Sequence, residues 1–383
     1  MVLTPDTEVA PPPPPEAGSD EPKSNFATHL LRIGVSLVVP VVAIVGLYYA
    51  GTVVLDEDAN RVLVVIMAIL IGVGGVFGLF LGMDRVVNRL PKRHREAVRP
   101  FAFVGPAVVL LGIFLLYPTI NTIVLSFQDT RGEEWVGFAN YLRVFTDSSL
   151  LVALRNSLGW VIVVPLFSVI IGLAFAAMAD RLGKRSEALS KTFIFMPMAI
   201  SFVGASIVWR FVYSFRPEGF GEQIGILNGL FTGLGQEPIA WLLQEPWNNF
   251  YLMVILVWLQ TGFAMVILSA AIKTVPEEII EAARIDGANE WQVFRKVTIP
   301  SISSTIVVVA TTVIITVWKV FDVVFVMTGG RFGTQVVAER MVTEFFTNRN
   351  SGIGATLAVV MLVAVVPLMV LNVKRFQEQE ETR

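Results

Sequence analysis

Long apolar blocks alternate with short polar, charge-rich segments over most of the chain. A helix that crosses the hydrocarbon core of a bilayer needs about 20 mostly apolar residues, and eight blocks reach or approach that length. The pattern therefore predicts an all-α, polytopic membrane protein with eight transmembrane helices, at residues 33–55, 62–83, 101–125, 157–179, 192–213, 251–272, 305–326 and 354–373.

Composition agrees with this pattern. Hydrophobic residues make up 54% of the 383 residues and charged residues only 16%, whereas soluble domains carry about 25% charge. An ordinary soluble domain is thereby excluded. The net charge of -2 gives no reason to expect a nucleic-acid partner. The chain has no cysteine, which excludes disulfides, thiol catalysis and cysteine-ligated metals, and no metal site is predicted.

Basic residues indicate the orientation, because cytoplasmic segments of membrane proteins are enriched in Lys and Arg. With the N-terminus in the cytoplasm, 19 of the 29 Lys and Arg fall in cytoplasmic segments and nine in external segments or helix ends. Both termini are therefore predicted to be cytoplasmic. Residues 1–32, with consecutive prolines at 11–15, are predicted to form a disordered tail, and a binding motif within them is the alternative.

The segment between the sixth and seventh predicted spans, residues 273–301, has the pattern of a helical hairpin outside the bilayer. Thr274 and Glu277 have the spacing of a capping box at the start of its first helix. Gly287 stands where a left-handed C-cap is expected, and Asn289 can cap a second helix. Alanines give the first helix a thin face that fits a cleft on a partner. An amphipathic re-entry loop is the alternative interpretation.

Three short motifs in this hairpin resemble the E-A-A…D-G-A…L-P loop of the permeases of binding-protein-dependent ABC importers: Glu281-Ala282-Ala283, Asp286-Gly287-Ala288 and Ile299-Pro300. In that family the first helix of the loop docks in a groove of the ATPase subunit. The resemblance implies an ATPase-coupling site formed by Glu281, Ala282, Ala283, Asp286, Gly287 and Ala288. No phosphate-binding loop motif occurs in this chain, so no cofactor is expected here, and ATP and Mg²⁺ are expected on a partner ATPase.

Other segments extend the resemblance to the sugar permeases of the same family. Gly105-Pro106 and Tyr117-Pro118 resemble the first core span, and residues 137–141 resemble the first external loop. Thr328-Gly329-Gly330 resembles the end of the penultimate span, although Arg331 and Phe332 stand where a proline is usual. The basic linker at residues 85–99 resembles the α-glucoside permease branch.

The resemblance also implies an organisation and a set of partners. A six-helix permease core over residues 100–375 would contain the coupling loop, preceded by two extra helices and the linker at 33–99 and followed by a cytoplasmic tail at 376–383. The expected partners are a second permease subunit, an ABC ATPase dimer, an external sugar-binding protein, the sugar and the lipid bilayer. The expected location is the cell membrane of a bacterium or an archaeon.

Polar residues in the sixth and seventh predicted spans are candidates for the path of an uncharged, hydroxyl-rich solute. Such a solute needs hydrogen-bonding and aromatic side chains around a water-filled cavity. The candidates are Gln260, Phe263, Thr312, Thr316, Lys319 and Asp322. Helical spacing places Thr312, Thr316 and Lys319 on one face, and the i, i+3 spacing of Lys319 and Asp322 permits an ion pair. The alternatives are structural: pairing or snorkelling of the charges, and threonine hydroxyls bonded to backbone carbonyls.

These features predict a transport subunit without catalytic residues. It would move a sugar, expected to be an α-glucoside or related disaccharide, into the cell by alternating access driven by a separate ATPase. The alternative is an ion-coupled secondary transporter, which would place ionisable residues along an ion path, and only Lys319 and Asp322 clearly qualify. A membrane-anchored enzyme is a third possibility, but the sequence shows no nucleophile–base arrangement or metal cluster.

Overall fold

The structure, a computed structural model, describes residues 61–89 and 91–381, and the predicted first span and the proline-rich tail lie outside these ranges. Helices and their connections make up the described residues, with one isolated antiparallel bridge between Gln128 and Trp135. The chain divides into two compact units, Met1–Tyr117 and Pro118–Arg383.

The first unit contains α1 (Arg61–Asn88) and α2 (Lys92–Leu111), and a π-helical turn (Gly112–Leu116) follows α2. The rings of Phe80 and Phe103 stack with their centroids 6.0 Å apart and join the two helices. The second predicted span therefore lies within α1.

The remaining helices follow in chain order: α3 (Tyr117–Leu125), α4 (Ala139–Thr146), α5 (Ser148–Asp180), α6 (Lys184–Phe195), α7 (Phe202–Val212), α8 (Ile226–Gly233), α9 (Trp247–Ile272), α10 (Glu277–Ile285), α11 (Glu290–Val293), α12 (Ile299–Ser301), α13 (Ser303–Trp318), α14 (Asp322–Met327), α15 (Val337–Val342) and α16 (Ser351–Glu381). A 3₁₀ turn (Met196–Ala199) follows α6, and π-helical turns (Phe294–Thr298 and Thr343–Thr347) follow α11 and α15.

The core of the second unit is the packing of α5 against α9. The two helices run parallel, since Gly159 faces Met253 and, farther along both helices, Gly172 faces Ala264. A Cβ on Gly172 would lie 2.6 Å from the Cβ of Ala264, so only glycine allows this approach. Small residues commonly let membrane helices pack this closely. α13 packs against both helices and completes a three-helix bundle.

Within residues 61–89 and 91–381, three helical segments are long and apolar enough to cross a membrane: Phe103–Leu125, Ser148–Asp180 and Trp247–Ile272. Two bent pairs of helices raise the number to five if each pair forms one span. The eighth predicted span lies within α16, where the apolar part is the shorter stretch Ser351–Pro367. The helical fold with several spans is thus confirmed, whereas the count of eight stays a prediction.

The fifth predicted span, residues 192–213, is not one straight helix. α6 ends in the 3₁₀ turn, and the chain bends by 100° before α7. Ser201 explains the new start, because its backbone is extended and its hydroxyl accepts a hydrogen bond from the Gly204 N–H at 3.1 Å. An N-cap serine of this kind begins a helix rather than continuing one.

The seventh predicted span, residues 305–326, is also interrupted. α13 ends at Trp318 and α14 begins at Asp322, so the prediction of one uninterrupted helix over residues 305–326 is wrong. Neither proline nor glycine stands at this break. Tertiary contacts hold it instead: the Trp318 Nε1–H donates to the Met361 carbonyl at 3.0 Å, and Val320 is buried.

Candidate functional site

The hairpin after α9 consists of α10 and α11. α10 starts after Pro276 without a side-chain cap, so the predicted capping box of Thr274 and Glu277 is wrong. The Thr274 hydroxyl instead donates to the Ala271 carbonyl at 2.7 Å, and the Thr274 N–H bonds the same carbonyl. Thr274 therefore closes the last turn of α9 and is not available to α10.

The turn between the two helices has the predicted chemistry. Gly287 adopts a φ of +86°, a left-handed conformation that glycine reaches without a steric penalty. The Ala288 N–H donates to the Ala283 carbonyl at 3.0 Å, which closes α10 as a Schellman motif. Asn289 and Gln292 then form a capping box at the start of α11, with both bonds at 2.9 Å. This confirms the predicted cap at Asn289.

α10 has no buried residue. Ile285 is 86% exposed, Glu281, Ala282, Asp286 and Gly287 are exposed, and Ala283 and Ala288 are half-buried. An isolated helix that presents isoleucine and alanine to its surroundings gains stability only by contacting another surface. The six residues predicted to couple to an ATPase therefore lie on a surface open to a partner.

Ion pairs connect the hairpin and α6 to the bundle. Glu290 accepts a bond from the Arg284 Nε–H at 2.9 Å, and the Arg181 guanidinium lies 3.8 Å away from the same carboxylate. Glu187 of α6 binds both Lys191 and Lys273 at 2.5 Å. The hydrogen bond to Glu187 raises the pKa of Lys273, so this cation remains charged at neutral pH.

Gln260 and Phe263 lie on α9, inside the bundle. Gln260 is only 6% exposed, yet its amide forms no side-chain hydrogen bond with the described residues. Phe263 is half-buried and packs against two apolar clusters, one at each end of the bundle. The amide atoms are not among the fully buried atoms without a partner, so they reach accessible space where they can bind a solute or water.

The candidates on α13 and α14 differ in their surroundings. The Thr312 and Thr316 hydroxyls donate to the carbonyls of Val308 and Thr312 at 2.8 and 3.0 Å, which is the structural alternative raised from the sequence. Lys319 is exposed and Asp322 half-buried, and they form no ion pair. The predicted pairing is wrong because the break after Trp318 removes their helical i, i+3 geometry.

Three buried asparagines, which the sequence did not single out as site residues, fix the loop between α14 and α15. The Asn156 amide on α5 donates to the carbonyls of Gly333 and Gln335 at 2.7 and 2.9 Å. Asn248 and Asn249 on α9 donate to Phe332 and Gly333 at 2.6 and 3.1 Å. The only sequence signal was an amide side chain near the start of an apolar helix. A pairing across 177 residues leaves no local pattern.

The loop itself is strongly curved. Gly329, Gly330 and Gly333 all have positive φ, and so does Phe332, at 57°. A non-glycine residue is held in this conformation only by its surroundings, here the bond from Asn248. A Cβ on Gly330 would clash with the carboxylate of Glu339. Glu339 is buried, and this burial raises the pKa of its carboxyl group. Arg331 and Phe332 stand where the resemblance predicts a proline. Hydrogen bonds from the three asparagines hold the curved backbone instead.

Among the residues that the structure describes, no group of three or more His, Asp or Glu is arranged to hold a metal ion. Comparison with known proteins gives a consistent set of relatives. A family model described as "Binding-protein-dependent transport system inner membrane component" matches residues 168–378.

The osmoprotective compounds uptake permease protein GgtC of Synechocystis sp. is 53% identical over 281 residues, which cover 73% of this chain and 100% of that protein. The alpha-glucoside transport system permease protein AglF of Rhizobium meliloti is 47% identical over 283 residues, covering 74% and 83%. A bacterial ABC transporter that imports alginate has a similar fold, with a TM-score of 0.63 at 22% identity, over 74% of this chain and 99% of that one.

Proposed function

The chain belongs to the family of binding-protein-dependent transport system inner membrane components, and from this premise we infer that its solute is an α-glucoside or a related disaccharide. As a member, it is the multi-pass permease subunit of an ABC importer and not an enzyme. It works with a second permease subunit, a separate ATPase and an external binding protein. Family membership also removes the ion-coupled alternative.

The observation that supports the solute class is the 47% identity to the α-glucoside permease over 283 residues. A second candidate solute class, osmoprotective compounds, is favoured by the 53% identity to the uptake permease of that name. The amide of Gln260, which forms no side-chain hydrogen bond with the described residues, suits the hydroxyl-rich chemistry of a sugar, because it offers both donors and an acceptor.

The proposed path for the solute combines α9 with α13. Gln260 and Phe263 come from α9, and Thr312 and Thr316 come from α13, which packs against α9. Lys319 follows the last residue of α13. The threonine hydroxyls donate to backbone carbonyls, and their oxygens retain lone pairs that can accept from a sugar hydroxyl. Asp322 starts α14 beyond the break and stands at the margin of this proposed path.

The hairpin α10–α11 is the proposed contact with the ATPase. The exposed residues from Glu281 to Ala288 form its surface, and the Glu290 ion pairs transmit a displacement of α10 to the end of α5. ATP and Mg²⁺ bind the ATPase in this proposal, and the chain itself needs no cofactor. Closure of the ATPase would then move α5 and α9 as one unit.

The orientation and the span count complete the proposal. The two-to-one excess of basic residues in the segments assigned to the cytoplasm supports eight spans with both termini inside. The hairpin and the linker at 85–99 then face the cytoplasm, and the asparagine-held loop faces outward.

The solute class is tested by purifying the complete transporter with its binding protein in lipid nanodiscs. We expect α-glucosidic disaccharides to stimulate ATP hydrolysis several-fold, and monosaccharides or β-linked disaccharides to have little effect. Stimulation by osmoprotective compounds alone would favour the second candidate. ATP hydrolysis that no sugar stimulates would contradict the α-glucoside assignment.

A further inference from the structure

A cavity of about 820 Å³ lies between α5 and the hairpin. Its walls are apolar along α5, from Ile170 through Ala174 to Ala177, and Ile280 and Trp291 close it on the hairpin side. Charged residues are confined to one end: Asp180, Arg181, Arg284 and Glu290. The cavity therefore has an apolar length and a charged mouth, which is the shape of a site for an amphiphile.

The length of the cavity matches one leaflet of a bilayer. Ile170 and Arg181 are 11 positions apart on α5, which corresponds to about 16 Å at 1.5 Å per residue. The hydrocarbon core is about 30 Å thick, so one leaflet is roughly 15 Å. If the hairpin is cytoplasmic, as in the proposed function on which this step rests, the charged mouth lies at the depth of the inner headgroups.

The four charges at the mouth are two of each sign, but their hydrogen bonding differs. Glu290 is hydrogen-bonded to Arg284, and the nearest Arg181 nitrogen is 3.8 Å from it, beyond hydrogen-bonding distance. The Arg181 side chain is 69% exposed and forms no side-chain hydrogen bond with the described residues. Arg181 is paired with Glu290 without a hydrogen bond, so its N–H groups remain able to donate to a phosphate.

We propose that this cavity binds a phospholipid with an anionic headgroup. The headgroup phosphate accepts hydrogen bonds from Arg181, whose planar guanidinium suits bidentate phosphate binding. One acyl chain follows α5 toward Ile170. Because the lipid also touches Ile280 and Arg284 of α10, it supports the hairpin against α5, and coupling to the ATPase then depends on anionic lipid.

The proposal is tested on the complete transporter. The Ala174→Trp variant fills the apolar part of the cavity, and the Arg181→Gln variant removes the cation at its mouth. Arg185→Gln is the matched control, since it removes an exposed cation from the same segment without lining the cavity. Complexes are extracted from vesicles of phosphatidylcholine with one-third phosphatidylglycerol, and the phosphatidylglycerol retained is counted by native mass spectrometry.

We expect both cavity variants to retain about tenfold less phosphatidylglycerol than the control, as losing a charge-assisted bond or the space for a chain implies. Their sugar-stimulated ATP hydrolysis should lose its dependence on phosphatidylglycerol. Equal retention in all three proteins would overturn the proposal. So would loss of the second permease subunit from Ala174→Trp, which would identify the cavity as a protein interface.

Lipid retention is measured without sugar or ATP, so this result is separate from the proposed function. A transporter that retains lipid as expected but responds to no sugar would contradict the solute assignment and leave the lipid site standing.

Discussion

At the scale of single residues, two positions carry most of the inferred function. Gly287 sits in an open turn where an added Cβ would meet no atom, so the demand for glycine comes from its φ of +86° and not from space. Gln260 has the opposite character, because it is enclosed by the bundle and has no hydrogen-bond partner among the described residues. The first shapes the coupling surface, and the second can bind the solute.

Gly287→Ala should cost about 1–2 kcal/mol in the turn, because an L-residue is strained in the left-handed region. We expect the α10 surface to lose its fixed orientation, so that sugar no longer stimulates ATP hydrolysis while the complex still assembles. Gly183→Ala is the matched control, since Gly183 has a φ of -65° and open space around its Cα. Normal stimulation in Gly287→Ala would show that the turn is not part of the coupling contact.

Gln260→Leu should weaken solute binding by roughly three- to tenfold, the equivalent of about one hydrogen bond to a neutral hydroxyl. The measurement is the sugar concentration that gives half-maximal uptake per assembled complex. Thr261→Val is the control, because the Thr261 hydroxyl is already bonded to the Val257 carbonyl at 2.6 Å. If both variants keep the concentration dependence of the parent, the solute does not contact this face of α9.

At the scale of helices, the sequence predicts which segments are helical, but it does not predict where a helix is interrupted. The apolar blocks predicted α5 and α9 because both are long helices. The apolar pattern does not predict the bend after α6, because Ser201 resembles any small residue in an apolar run. It does not predict the break after α13 either, because that break depends on a hydrogen-bond partner 43 residues away. The hairpin turn was predictable because Gly287 and Asn289 act on their immediate neighbours.

Asn156→Ala should loosen the loop between α14 and α15 from α5. It removes two hydrogen bonds and leaves the Gln335 carbonyl without its side-chain donor, while the Gly333 carbonyl keeps the bond from Asn249, a loss of about 2 kcal/mol. We expect a lower melting temperature of the purified complex and faster proteolysis of residues 328–336. Asn348→Ala, at an exposed asparagine, should change neither. Equal melting temperatures for the two variants would mean that the loop is held by other contacts.

At the scale of the whole molecule, hydropathy established the class of protein, and the family match covers more than half of the chain. Neither fixes which face is cytoplasmic. That assignment rests on the distribution of Lys and Arg, and it places the hairpin and the asparagine-held loop on opposite sides of the membrane. The solute path between them requires this separation.

The orientation can be measured directly, because the chain has no cysteine of its own. Single cysteines replace Glu133, between α3 and α4, and Arg185, at the start of α6, both exposed. A membrane-impermeant thiol reagent added outside intact cells should label the cysteine at 133 and spare the one at 185. Permeabilised cells, in which both should react, provide the control. The reverse labelling pattern would invert the proposed topology.

The loop after α14 has a mechanical consequence. Five hydrogen bonds, four from asparagines and one from the Val337 N–H to the Ser157 hydroxyl, bind it to both α5 and α9. These two helices cannot part at that end without breaking the set. We therefore expect α5 and α9 to move together at this end during transport, so that an opening here forms where this chain meets the second permease subunit.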